Sequence, residues 1–150
     1  MLLEHRGARP VVPESAYVAP SAVLCGAVTL GERARVLHGA VLTAENGEVR
    51  VGADVVVMEN ALVRGRAAHP AVIGDAVLIG PHAHVNGATI EDEVFVATGA
   101  ALCSSGRAGG WVGAALRAAG AERSVAMSPR RPVSGPRASA CSSCRRAGGR

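Results

Sequence analysis

The 150-residue sequence predicts an all-β solenoid, a chain wound into about five short coils, and three observations lead there. Hydrophobic residues make up 49% of the chain but aromatics only 2% (Tyr17, Phe95 and Trp111), so Val, Leu, Ile and Ala must fill the interior, as they do in a regular stack. An aliphatic residue recurs every six positions, at Val12, Val18, Leu24, Leu30, Val36 and Leu42. After a break the series resumes at Val51, Val57 and Val63, then at Ile73, Ile79 and Val85, and after a five-residue step at Ile90, Val96 and Leu102. A helix needs a spacing near 3.6 and a hairpin sheet needs alternation between turn signals, so neither generates this period.

Each hexapeptide supplies a short strand and a corner, three complete one turn, and stacked turns bring like residues into ladders. Fifteen starts give five coils over residues 12–104, preceded by a lead-in at 1–11. Four residues beyond the starts stand small or β-branched residues: Ala16, Ala22, Val28, Ala34, Ala40, Val55, Ala61, Ala67, Val77, Ala83, Thr89, Val94 and Ala100. Asn46 is the exception, at the first break. Burying each Val, Leu or Ile contributes roughly 1.5–3 kcal/mol. Gly31, Gly52 and Gly74 follow aliphatic residues where corners with unusual backbone angles are expected. The two breaks mark loops, within Thr43–Glu48 and Arg64–Pro70. Extra residues must leave a prism at a corner, where projecting loops either carry binding groups or are solvated excursions without a task.

The net charge of +4 conceals two unlike parts. Residues 1–104 hold 7 Arg and 11 acids, whereas residues 105–150 hold 9 Arg and the single acid Glu122. There is no Lys, so the basic balance belongs to a tail rich in Arg, Gly, Ala and Pro and argues little for nucleic acid. Within the tail, residues 111–125 have the apolar spacing of a short helix, and the Pro- and Arg-rich run from Pro129 to Arg137 reads as disordered. The codons of Leu102–Gly109, displaced by one nucleotide, are compatible with a continued hexapeptide stretch, which makes a frame-shifted end a reading that the coding DNA would decide. The N-terminus lacks the pattern of a signal peptide and no apolar run has membrane-spanning length, so a soluble, cytoplasmic protein without a membrane partner is expected. Cys25 and Cys103 read as small buried hydrophobes, and Cys141 and Cys144, a lone Cys-x-x-Cys, as neither a zinc nor a redox site.

The stretch from Val12 to about Ala101 resembles the hexapeptide-repeat left-handed β-helix proteins and, within them, the gamma-class carbonic anhydrase-like family. The resemblance is carried by Val11–Ala22, by Val57-Met58-Glu59-Asn60, by Ile73–Gly80 and by Asn86–Asp92. It implies a left-handed parallel β-helix, a homotrimer with sites between subunits, and a zinc or iron held by three histidines. Those ligand positions fall here at Arg64, Pro81 and Asn86, none of which suits zinc. The family's supporting Arg and Asp fall at Thr43 and Glu45, and its Gln at Met58, while Glu59-Asn60 remains. No cofactor is therefore expected, and hydratase activity is in doubt.

Two neighbours, His82 and His84, are the replacement metal ligands to consider, since residues two apart on an extended segment face the same way. A third ligand would have to come from His38, His69 or another subunit. The catalytic candidates are Glu45, Glu59, Asn60, His82 and His84, with Arg64 and Asn86 as contacts to an anionic substrate, since Arg suits carboxylate and phosphate. Two other functions fit the repeat. One is acyl transfer from acetyl-coenzyme A, with His38, His82 or His84 as base. The other is a trimeric scaffold subunit without catalysis.

Overall fold

The computed structural model describes residues 1–102 and the strand Arg107–Ala108. All regular structure there is β, and the chain climbs as a left-handed, three-sided parallel β-helix of about five turns. The first face stacks Tyr17–Val18, Arg35–Val36, Val56–Val57, Leu78–Ile79 and Phe95–Val96 in parallel register. Each strand is two residues long because alternation then sends one side chain inward and the other outward. Val36, Val57, Ile79 and Val96 are wholly buried, while Tyr17 and Arg35 face solvent.

The second face runs from Leu2–Leu3 through the strands beginning at Val23, Val41, Leu62, His84 and Ala101. Its inward ladder is Leu24, Leu42, Val63 and Val85. The third face pairs Val28–Leu30 with Val49–Val51, then with Ala71–Ile73, Thr89–Ile90 and Arg107–Ala108. Of the fifteen periodic aliphatics, twelve are buried and Val12, Val18 and Leu102, in the terminal coils, pack partly buried against the same core.

The lead-in belongs to the stack at two points. Leu2–Leu3 adds an edge to the second face beside Leu24–Cys25, and Val11 bridges to Thr29 on the third. Between them the chain reverses at His5–Ala8, with Arg6 and Gly7 both at positive φ, the geometry of a tight two-residue turn. At the other end the ladder continues past Leu102 to Arg107–Ala108. The expected helix at 111–125, the remaining tail, and Cys103, Cys141 and Cys144 lie outside the described residues, whereas Cys25 is half-buried and free.

Two sequence expectations are corrected. Where the six-residue period breaks, the small inward residue is not four beyond the preceding aliphatic, at the exception Asn46 or at Ala67 and Thr89; the buried residues are Val49, Ala71 and Ala88. Asn46 and Ala67 are exposed and Thr89 is only half-buried. Insertions, and the one-residue shortening before Ile90, fall ahead of the small residue, so its position is fixed by the next aliphatic, two residues on. The second correction concerns Gly31, Gly52 and Gly74, none of which has positive φ. A Cβ on Gly52 would lie 2.6 Å from the Gly74 carbonyl oxygen, and one on Gly31 2.6 Å from the Ala53 nitrogen, so these glycines serve close approach between coils.

The left-handed residues of that corner are instead Arg33, Asp54, Ala76 and Glu93. A non-glycine residue in this region is uncommon and costs energy. The stack compensates: the amides of Asp54, Ala76 and Glu93 donate to the carbonyls of Glu32, Ala53 and Asp75 one coil earlier, at 2.8–2.9 Å. On the solvent side Arg33 forms a forked pair with Asp54, 2.7 Å from Nε to Oδ1 and 2.6 Å from Nη2 to Oδ2. That guanidinium holds the Asp54 carboxyl below the ordinary carboxylate range. A lowered folded pKa contributes stability at neutral pH that is lost as pH falls from the ordinary carboxylate value through the lowered one. Arg33→Gln is expected to return the Asp54 titration, followed by carboxyl NMR, to the ordinary range; an unchanged midpoint would refute the pairing.

Candidate functional site

Both breaks in the period open at the corner between the second and third faces, in successive coils, so their loops lie against each other. The strand Val41–Val51 carries the first excursion, and Leu62–Gly65 leads into the second. The second is closed by an antiparallel bridge in which the Arg66 and His69 amides donate to each other's carbonyls, at 2.9 and 3.0 Å. Contact between the loops is at backbone level: a Cβ on Gly65 would sit 2.6 Å from the Glu48 carbonyl carbon, and one on Gly47 2.9 Å from the Ala67 nitrogen.

At the loop bases, Thr43, Arg64 and Asn86 occupy one register on adjacent strands of the second face. Neighbouring parallel strands lie about 4.8 Å apart, so these outward side chains share one strip. Arg64 Nη2 lies 3.1 Å from Glu45 Oε1, and Arg66 Nε donates to Asn86 Oδ1 at 3.0 Å. The Arg64–Glu45 pair is partly exposed, and pairs of that kind contribute roughly 0–1 kcal/mol, so its role is to place charge more than to hold the fold. Nε of Arg64 and Nε2 of His84 are both shielded from solvent without a hydrogen-bond partner among the described residues.

The other candidates lie elsewhere. Pro81, His82, Glu59 and Asn60 sit at the corner between the first and second faces, where Asn60 and His82 are left-handed and their amides donate to the His38 and Glu59 carbonyls. The structure thus gathers Glu45, Arg64 and Asn86 and separates them from Glu59, Asn60 and His82. It also removes the premise for a His82–His84 pair: the left-handed turn at His82 means the chain is not extended between them, and the strand begins only at His84. His38 is exposed, with Nδ1 3.0 Å from Ser21 Oγ, the same oxygen that accepts the Gly39 amide. Ser15 accepts the Arg33 amide likewise at the preceding corner, so these hydroxyls act as corner caps. Among the described residues no three His, Cys, Asp or Glu converge as a metal-ligand group.

Sequence reasoning located the loops but missed what they enclose, a cleft of about 290 Å³ lined by Glu45, Asn46, Arg66, Ala67, Ala68 and His69. Gly47 and Gly65 were the available signal, since glycines at both loop bases foretell close backbone approach.

The three-sided prism, its inward aliphatic ladders and its corner loops define a hexapeptide-repeat β-helix. Over 99 residues the chain is 38% identical to "Gamma carbonic anhydrase 1, mitochondrial" of Arabidopsis thaliana, a match covering 62% of this chain and 36% of that protein. Over 92 residues it is 29% identical to a "Probable carbonic anhydrase" of Methanocaldococcus jannaschii, covering 61% of this chain and 58% of the other. In sequence, the repeat region is similar to these gamma carbonic anhydrases. The match spans between about a third and three fifths of these curated relatives' lengths. Among solved structures, a putative acetyltransferase of Bacillus cereus overlays with a TM-score of 0.47 at 19% identity, covering 73% of this chain and 78% of that one. No protein-family model matches the chain. Among the described residues no helix is long and apolar enough to cross a membrane.

Proposed function

We propose that the chain is a gamma carbonic anhydrase-like subunit that forms a homotrimer and carries, at the family's ligand positions, a charged polar cluster in place of a metal centre. It does not hydrate carbon dioxide through a metal-bound hydroxide. The observation that supports this most directly is the strip at Arg64 and Asn86, with Arg64 against Glu45 and Asn86 held by Arg66. A guanidinium stays protonated and lacks a lone pair to give, so Arg64 repels a divalent cation where a ligand is required. Pro81 offers no side-chain donor atom, and one amide oxygen at Asn86 cannot hold zinc. The residues do not fit the metal.

The trimer has support in the same geometry. Pro81 lies at the corner before the strand His84–Asn86, beyond the left-handed turn at His82, whereas Arg64 and Asn86 share one register on the second face. Positions divided in this way between a corner and a strand suit a site shared by adjoining subunits. Free Cys25 suits the reducing conditions of the cytoplasm, the compartment proposed here.

Elemental analysis of the purified protein, with carbon dioxide hydration followed by stopped flow, tests the reading. Substoichiometric metal and no hydration above background are expected, whereas Arg64→His/Pro81→His/Asn86→His should gain bound zinc. Stoichiometric metal in the unmodified protein would overturn the reading, and saturable acetyl-coenzyme A binding would favour acyl transfer instead.

A further inference from the structure

The cleft between the two loops is lined by none of the three ligand positions, and its one cation, Arg66, is not paired with its one acid, Glu45. Arg64 is answered by Glu45, and Glu48 by Arg50 at 2.8 Å. Arg66 has only a neutral partner: Asn86 Oδ1 accepts from its Nε and leaves both terminal nitrogens unpaired among the described residues. The group is steadied from behind while its fork stays available, the arrangement in which guanidinium recognises a planar oxyanion most effectively.

The surrounding walls are also fixed. Arg66 and His69 are clamped by their mutual amide bonds. His69 rests on the backbone of Gly87, where a Cβ would lie 2.6 Å from the His69 carbonyl oxygen. Asn46 and His69 add hydrogen-bonding groups, and Ala67 and Ala68 add methyl surface. A volume of about 290 Å³ lies at the small end of ligand sites.

We propose that this cleft binds a small molecule bearing an oxyanion, a carboxylate or a phosphate, with the Arg66 fork as its main partner, Asn46 and His69 beside it, and a short apolar stem against Ala67 and Ala68. The Glu45 carboxylate is the internal competitor, since it already stands at the cleft wall on Arg64. Isothermal titration of the full chain at low ionic strength, with inorganic phosphate and with butyrate as separate probes, tests this. Saturable binding of phosphate alone identifies a phosphate ligand, and of butyrate alone or more tightly a carboxylate. Arg66→Gln, whose amide can still reach Asn86, is expected to weaken binding about tenfold, the loss of one charged, forked contact. Glu45→Gln is expected to tighten it several-fold, and Arg35→Gln, on the first face, to leave it unchanged. Should Arg66→Gln fail to fold, Arg66→Lys, which keeps the charge without the fork, should bind several-fold more weakly. Absence of saturable binding of either probe, or binding indifferent to both Arg66 and Glu45, would overturn the proposal.

Discussion

Leu42→Ala should destabilise the protein by about 2–5 kcal/mol, the cost of truncating a large buried aliphatic whose surroundings cannot close over the cavity. Leu42 is fully buried and sits in its ladder between Leu24 and Val63, with packed coils on both sides. Either neighbour could fill the space only by shifting a strand tied by parallel backbone bonds to the coils before and after. Val18→Ala, in the first coil and only partly buried, should cost much less. Urea denaturation of both variants gives the comparison, and equal losses would contradict a core whose burial deepens from the end coil to the middle.

Gly52→Ala should also destabilise, by about 2–4 kcal/mol, although the same change at an unstrained position usually stabilises by 0.4–1 kcal/mol through the unfolded chain. Backbone angles do not decide the sign, because Gly52 lacks positive φ. Space does. The new methyl would lie 2.6 Å from the Gly74 carbonyl oxygen and would displace the Asp75 carboxylate. Overpacking costs roughly 1–3 kcal/mol. The bond from the Ala53 amide to Asp75 Oδ1, 2.7 Å long, would be lost as well, adding about 1 kcal/mol. A neutral or stabilising result would show that the coils can spread to admit a methyl group.

The six-residue period revealed the ladder because it reflects one requirement, that a given side chain point inward each time the chain crosses a face. Val36, Val57, Ile79 and Val96 obey it regardless of what the corners do. The corners answer to a second requirement that leaves little trace in residue type. Arg33, Asp54, Ala76 and Glu93 share a left-handed backbone yet have nothing chemical in common, since that conformation is enforced by amide bonds to the coil before. Sequence likewise located Glu45, Arg64 and Asn86, all three through the resemblance. The meeting of Arg66 with His69 in one cleft escaped notice, although His69 was weighed as a metal ligand, because it depends on one loop lying over another, a relation between coils that no local spacing encodes.

The unequal coils bear on how the chain finds its alignment. Ladders of similar aliphatics are nearly interchangeable: a chain shifted by one whole turn would still set one aliphatic against another on every face, leaving misaligned stacks close in energy to the native one. The paired excursions break that degeneracy. Gly47 fits beneath the backbone at Ala67, and Gly65 over that of Glu48, in one alignment alone. The loops thus act as a key cut into an otherwise repetitive lock, selecting which turn follows which as the prism assembles.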